Sequence, residues 1–199
     1  MIEILIATGN PGKVREIRQL TADHPWNWRS LEDFPGIPDV VEDADTFAGN
    51  ACKKALHYAA ATGLLTLADD SGLEVDAIGG APGVHSARYA GQPKSDAANN
   101  RKLIANLANI PAPARTARFR CAMALARPGA VLLETSGAVE GQIIDTPRGQ
   151  NGFGYDPHFL VPHLGKTMAE LPSEQKNALS HRGHALRAML EKMDEASLT

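Results

Sequence analysis

The chain has little that would tie it to a membrane, to nucleic acid or to an oxidising compartment. It holds only two cysteines, Cys52 and Cys121, among 199 residues. They lie far apart in no zinc or redox spacing, so neither a disulfide framework nor a Cys-based metal site is expected, and a reducing compartment suits them. No apolar run approaches the ~18 residues of a membrane-spanning helix. Residues 1–20 lack a basic leader followed by a long apolar stretch. A soluble, cytoplasmic protein with no membrane partner is therefore expected. There is no basic excess either: formal net charge is -3 and aromatics make up 5% of the chain. No long run interleaves basic and aromatic residues, which speaks against nucleic acid as a partner. Any anion must be recognised locally. Repeats, low-complexity tracts and linkers are also missing. A chain of this length buries enough surface to fold without staples, and a single domain over residues 1–199, with two lobes, is expected.

What is present is strand–helix alternation followed by a hairpin. Residues 2–7 read as a buried strand and 13–23 as a helix with Val14, Ile17 and Leu20 on its apolar side. The proline-rich stretch after residue 23 implies a winding connection with at most a short strand. A second helix runs from an N-cap at Thr46 to a stop at Gly63. "LLTLA" (64–68) follows as a short buried strand that ends abruptly in "DDSG". Ser95 or Asp96 caps a helix through about Ile110. Alternation at Phe119, Cys121, Met123 and Leu125, then Pro128-Gly129, predicts an antiparallel hairpin. "HFLVP" is another short strand. The tail from Ser173 to Met193 is helical, with Ser180 able to cap a new segment. The fold class expected is α/β with a mixed sheet.

Four stretches carry chemistry. "ATGNPGKVREI" (7–17) resembles a phosphate loop but lacks the Walker spacing, with Val14 where a magnesium-binding hydroxyl would stand. Thr8, Gly9, Asn10 and Gly12 can let the turn point several backbone N–H groups one way, and Lys13 is a cation in the unfavourable first turn of a helix. A plain glycine turn with a solvated lysine fits equally well. Asp69 and Asp70 end an apolar strand, where paired carboxylates are costly without a cation or solvent. On a continued strand they would face opposite ways. A turn at Ser71-Gly72 would let both face one Mg²⁺, or else bond only backbone. Phe153, between Gly152 and Gly154, can stack on a flat base or anchor its loop. Asp156, held extended before a proline, can accept from a base N–H. Finally, Ser180 would place His181 and Arg182 at a helix N-terminus, where a cation needs an anion or an oxo group. For Lys176 and Arg182 a solvated helix face is the plain alternative.

"TGNPGK" (8–13), "ADDSGLEVD" (68–76), "GGAPGVHSARY" (79–89), "GFGYDP" (152–157) and "SHRGHA" (180–185) stand in this order along the whole chain. The ordered set closely resembles the inosine/xanthosine triphosphate pyrophosphatases. That resemblance implies Mg²⁺-dependent hydrolysis of ITP, dITP and XTP to the monophosphate and pyrophosphate, with Mn²⁺ as a substitute metal. It also implies a two-lobed α/β fold, a long mixed sheet flanked by helices, a nucleotide cleft between lobes, and a homodimer. Matched by motif, Thr8, Gly9, Asn10, Pro11, Gly12, Lys13 and Lys176 would hold phosphates, and Ser71 would touch substrate. Asp70 would be the base that activates water, with Glu42, Asp69 and Asp70 at the metal. Phe153, Gly154, Tyr155, Asp156, His181 and Arg182 would form the base pocket. The sequence departs from the family at Gly49, where a glutamate is frequent; Asn50 and Lys54 match. Two other readings stay open: a nucleotide-binding module without catalysis, and a related pyrophosphatase acting on pyrimidine or modified nucleotides. Lys13→Ala is expected to weaken turnover with the fold intact.

Overall fold

The computed structural model describes residues 2–196. Seven strands form one mixed sheet in the order β2-β1-β3-β4-β5-β6-β7. β1 (Glu3–Ile6) pairs in parallel with β2 (Asn27–Ser30) and with β3 (Leu65–Val75). β4 (Thr116–Arg127) turns through Pro128-Gly129 into β5 (Ala130–Ile143), as the sequence predicts, though both strands extend well beyond the alternating core of the hairpin. β6 (Phe159–Val161) and β7 (Lys166–Thr167) add antiparallel pairs. The helices are α1 (Pro11–Leu20), α2 (Phe47–Thr62), α3 (Asp96–Leu107), α4 (Ser173–Leu179) and α5 (His181–Glu195).

The α2 boundaries are those expected, because Thr46 Oγ1 accepts the Gly49 N–H and Gly63 stops the helix in a left-handed conformation. α1 begins two residues earlier than expected. Asn10 is its N-cap and Pro11 sits in the first turn, where a missing N–H costs nothing. The tail divides at Ser180, whose extended backbone separates α4 from α5.

One expectation is overturned. The strand at 64–68 does not stop at "DDSG" but runs on through Asp69, Asp70, Ser71 and Gly72 to Val75. Leu73 and Val75 are fully buried and reward the continuation. The two carboxylates also find cations where they stand, so no turn is needed to relieve them.

The described residues group into two compact units. The first comprises the chain up to Asp70, Cys121–Gly137 and the residues from Arg182 onward; the second comprises Ser71–Arg120 and Ala138–His181. Strand alternation gives the first unit two cores. Ile4, Ile6, Leu67, Cys121, Met123 and Leu125 pack with Ile17 of α1 and with Leu186 and Met189 of α5. Leu5, Ala7, Ala68, Ala122, Ala124 and Ala126 point the other way, against Ala51, Ala55, Tyr58 and Ala59 of α2. The small side chains on both partners let α2 lie close to the strands. In the second unit Leu73 and Val75 join Leu103 and Leu107 of α3, Phe119, Phe159 and Met168 in a separate core. Among the described residues no helix is long and apolar enough to cross a membrane.

Candidate active site

The alternation that builds the two cores of the first unit also decides the fate of Asp69 and Asp70. Asp69 follows Leu67 onto the face covered by α1 and α5. There its Oδ2 meets Lys13 Nζ at 2.8 Å and Arg182 Nε at 3.4 Å. Arg182, with 2% of its side chain exposed, also pairs with Glu16, one turn along α1 from Lys13. Burial pushes the Asp69 carboxyl up, but Lys13, Arg182 and Lys54 together outweigh it and hold the group well below the usual carboxylate range. Arg182 is driven the opposite way: burial disfavours its charge, yet Asp69 and Glu16 win and raise it. The anions expected beside the cations at the starts of α1 and α5 are thus supplied by the protein.

Asp70 follows Ala68 onto the α2 face. Its Oδ2 accepts from Asn50 Nδ2 at 3.1 Å and its Oδ1 from Lys54 Nζ at 3.3 Å. Lys54 Nζ also reaches Glu42 Oε1 at 3.0 Å. Burial raises the Asp70 carboxyl, and Glu42 adds to the rise; Lys54, Lys13 and Asn50 offset only part of it. Adjacent residues therefore carry opposite shifts, the environment-driven division that lets paired carboxylates take different roles. Cys121, beside Asp69 at 3.8 Å, is pushed up to about 12 by burial and by that carboxylate, so it stays a thiol.

The expected metal trio does not gather. Among the described residues no group of three or more His, Cys, Asp or Glu side chains is placed to hold a metal ion. The physical reason is strand alternation, which leaves Glu42 and Asp70 sharing Lys54 while Asp69 serves Lys13 and Arg182. Glu42 and Asp70 carry hard carboxylate oxygens of the type a divalent cation takes, and both are answered by Lys54 in this structure.

The opening turn differs from expectation as well. Asn10 Oδ1 already accepts the Gly12 N–H at 2.8 Å and the Lys13 N–H at 3.4 Å, and Thr8 Oγ1 accepts the Asn10 N–H at 3.2 Å. These backbone donors are capped from within, so the cation of the turn is the Lys13 side chain.

The second unit assembles a different set. Gly152 and Gly154 both have positive φ, +78° and +62°. A Cβ at Gly152 would stand 2.0 Å from Asp156 Oδ2. That open approach lets the Asp156 carboxylate accept the Phe153 N–H at 3.0 Å and a bond from Lys176 Nζ at 2.8 Å. Lys176 Nζ also lies 5.0 Å from the centroid of the Phe153 ring. Tyr155 is buried and donates its hydroxyl to the Ser86 carbonyl at 2.8 Å; burial raises its pKa. His181 stacks on Phe119 at 5.0 Å and 19°. Ser71 follows Asp70 in β3.

Lys176 keeps company with Phe153 and Asp156, and Arg182 with Asp69 and Glu16. Asn50, Lys54 and Glu16 escaped assignment from the sequence. The signal for the first two is legible: they fall on the buried stripe of α2, where Asn50, Ala51, Lys54, Ala55, Tyr58 and Ala59 recur at helical spacing. Polar residues in an apolar stripe need partners in the interior.

The fold and these groups define an α/β protein with a strand-borne carboxylate pair embedded among lysines and an arginine. The profile of the Ham1 family matches residues 4–192, and the chain belongs to that family. It is 55% identical over 94% of its length to a dITP/XTP pyrophosphatase of Geobacter sulfurreducens, of which 94% is covered. It is 51% identical over 96% of its length to the dITP/XTP pyrophosphatase of Desulforamulus reducens, again covering 94% of that protein. Among solved structures, a HAM1 protein from Coxiella burnetii superposes with a TM-score of 0.89 at 42% identity, over 98% of this chain and 100% of that one.

Proposed function

We propose that this chain hydrolyses the non-canonical purine nucleoside triphosphates ITP, dITP and XTP to the monophosphate and pyrophosphate, clearing them from the cytoplasmic nucleotide pool, as one catalytic domain. The observation that carries this reading is the placement of Asp69 and Asp70 on opposite faces of β3, Asp69 against Lys13 and Arg182 and Asp70 against Asn50 and Lys54. Asp70, placed on the α2 face against Asn50 and Lys54 with its carboxyl raised by burial, is the group assigned to take the proton from water. Asp69, held low, stays ionised and orders Lys13. The names of the Geobacter and Desulforamulus relatives support the substrate class.

In this reaction water attacks the α-phosphorus, a P–O bond forms, the α–β anhydride bond breaks and pyrophosphate leaves; the water proton passes to Asp70. Lys13, with Thr8, Gly9, Asn10, Pro11 and Gly12 shaping its turn, meets the phosphates, and Ser71 contacts the substrate beside the base. Lys176, tethered to Asp156, is a further phosphate-binding cation. Glu42 and Asp70 would hold Mg²⁺, or Mn²⁺ in its place, which supplies charge neutralisation for the phosphates and acidifies a bound water. The need for it follows from the charge balance of the first unit, where Lys13, Lys54 and Arg182 face Glu16, Glu42, Asp69 and Asp70. Four carboxylates against three cations leave the set net acidic, which supports a divalent cation arriving with the triphosphate.

Phe153 stacks on the base, while Gly154, Tyr155, Asp156 and His181 shape its polar edge; Asp156 accepts from N1–H and His181 donates to the six-position oxygen. Adenine presents an amino group there and leaves both partners mismatched. Arg182, engaged by Asp69 and Glu16, is assigned to orienting Asp69 in place of reading the base. The test is a substrate panel with Mg²⁺. ITP should yield IMP and pyrophosphate, EDTA should stop the reaction, and ATP should be a poor substrate. Orthophosphate as product, or equal rates on ATP and ITP, defeats the reading. Tight ITP binding without hydrolysis would instead favour a non-catalytic module, the reading that Gly49 keeps in play. A homodimer, implied by the family resemblance, is checked by light scattering.

A further inference from the structure

The motif "GGAPGVHSARY" and the start of α3 have no part in the reaction above, yet both are bonded to the loop that carries Phe153. Asp96 and Asn100 stand four residues apart and so share one face of α3. Asp96 Oδ2 accepts the Gly154 N–H at 2.8 Å, and Asn100 Nδ2 donates to the Gly154 carbonyl at 2.9 Å. One helix therefore holds both polar backbone groups of a residue with φ +62°. The neighbouring Tyr155 is tied to the Ser86 carbonyl, and Ser86 is itself fixed by the Leu73 N–H at 2.9 Å and by its bond to the Gly83 carbonyl at 2.6 Å. Asn99 completes the frame by accepting the Ala90 N–H at 2.7 Å and donating to the Ala87 carbonyl at 3.2 Å.

We propose that Asp96 and Asn100 are positioning residues that grip the Gly154 peptide and thereby set the angle at which Phe153 and Asp156 meet the purine base. This rests on the base-binding role given above to the 153–156 loop. A glycine with open space around it has no side chain to limit its backbone, so its conformation must be imposed from outside. Two bonds to a helix that is itself packed through Leu103 and Leu107 do so. The consequence is a loop already shaped for the base before substrate arrives, which lowers the ordering cost of binding.

Asp96 also stands in the first turn of α3, where its charge favours the helix whatever it bonds to. The two roles are separated by comparing Asp96→Ala with Asp96→Asn, because asparagine keeps an acceptor oxygen and loses the charge. Asp96→Ala and Asn100→Ala should each raise KM for ITP about fivefold and leave kcat within about twofold, while inhibition by pyrophosphate, which has no base, is unchanged. Asp96→Asn should keep a KM close to that of the unaltered protein, although its Tm falls through loss of the charge at the helix start. In the ligand-free protein, hydrogen exchange at residues 153–155 should quicken in both alanine variants and not in Asp96→Asn. If Asp96→Asn matches Asp96→Ala in KM and exchange, or if KM follows Tm in all three, the positioning role is overturned. Failure of the unaltered protein to convert ITP would instead defeat the proposed reaction, and the exchange comparison would still decide whether Asp96 and Asn100 hold the loop.

Discussion

The two units place charge in opposite ways. In the first, every ionised group of the site but Glu42 stands on a regular element: Asp69 and Asp70 on β3, Lys13 and Glu16 on α1, Lys54 on α2, Arg182 on α5. Each carboxylate there faces a lysine or arginine, and the frame is held by mutual compensation. In the second, Asp156 follows a glycine loop whose geometry depends on two positive-φ residues. The loop is kept in place by bonds to backbone and by the buried Lys176–Asp156 pair. Groups on packed strands and helices are positioned by the core, which suits bond breaking; the loop is positioned by hydrogen bonds to its backbone, which suits holding a fixed polar edge against a base.

Three substitutions sharpen or break that contrast. The largest effect is expected for Asp70→Asn. Losing a general base should lower kcat by about 10²–10⁴-fold, with ITP binding retained in a calorimetric titration; substantial turnover would remove Asp70 from that role. Lys13→Ala comes next. Loss of one cation aimed at developing charge lowers turnover by about 10²-fold. The ion pair to buried Asp69 adds a consequence that sequence reasoning left out: stability should also drop, by about 3 kcal/mol, with Arg182 left as the remaining partner. Urea unfolding measures it, and an unaltered midpoint would mean that the first unit's charges do not support one another. The smallest effect is expected for Gly152→Ala, where the new methyl collides with the Asp156 carboxylate. KM for ITP should rise about tenfold, and Tm should fall through both the strain at φ +78° and the displacement of the Asp156 carboxylate from Lys176. A loss of kcat as large as that of Lys13→Ala would erase the distinction between the units.

Much of this architecture is legible in residue order. Thr46 and Gly63 mark both ends of α2, Pro128-Gly129 marks the hairpin, and Ser180 marks the start of α5. Each rests on local backbone chemistry that neighbours do not override. The extent of β3 was not legible, since "DDSG" carries turn-forming residues and only the burial of Leu73 and Val75 beyond it holds the strand straight. For the same reason Asp69 and Asp70 read as one metal site when they serve two faces. Gly49 stays without a full account. Its N–H is capped by Thr46, a Cβ there would lie 2.9 Å from the Ala44 Cβ, and α2 has no acidic residue in its first turn.

Local order along the chain was enough to define the α/β class, the helix caps and the set of reactive side chains, because these depend on neighbours a few residues away. Which cation answers which carboxylate was settled only by tertiary packing. Lys13, Lys54 and Arg182 are separated by long stretches of chain, and it is the side of the sheet on which α1, α2 and α5 lie that gives Asp69 a low pKa and Asp70 a raised one.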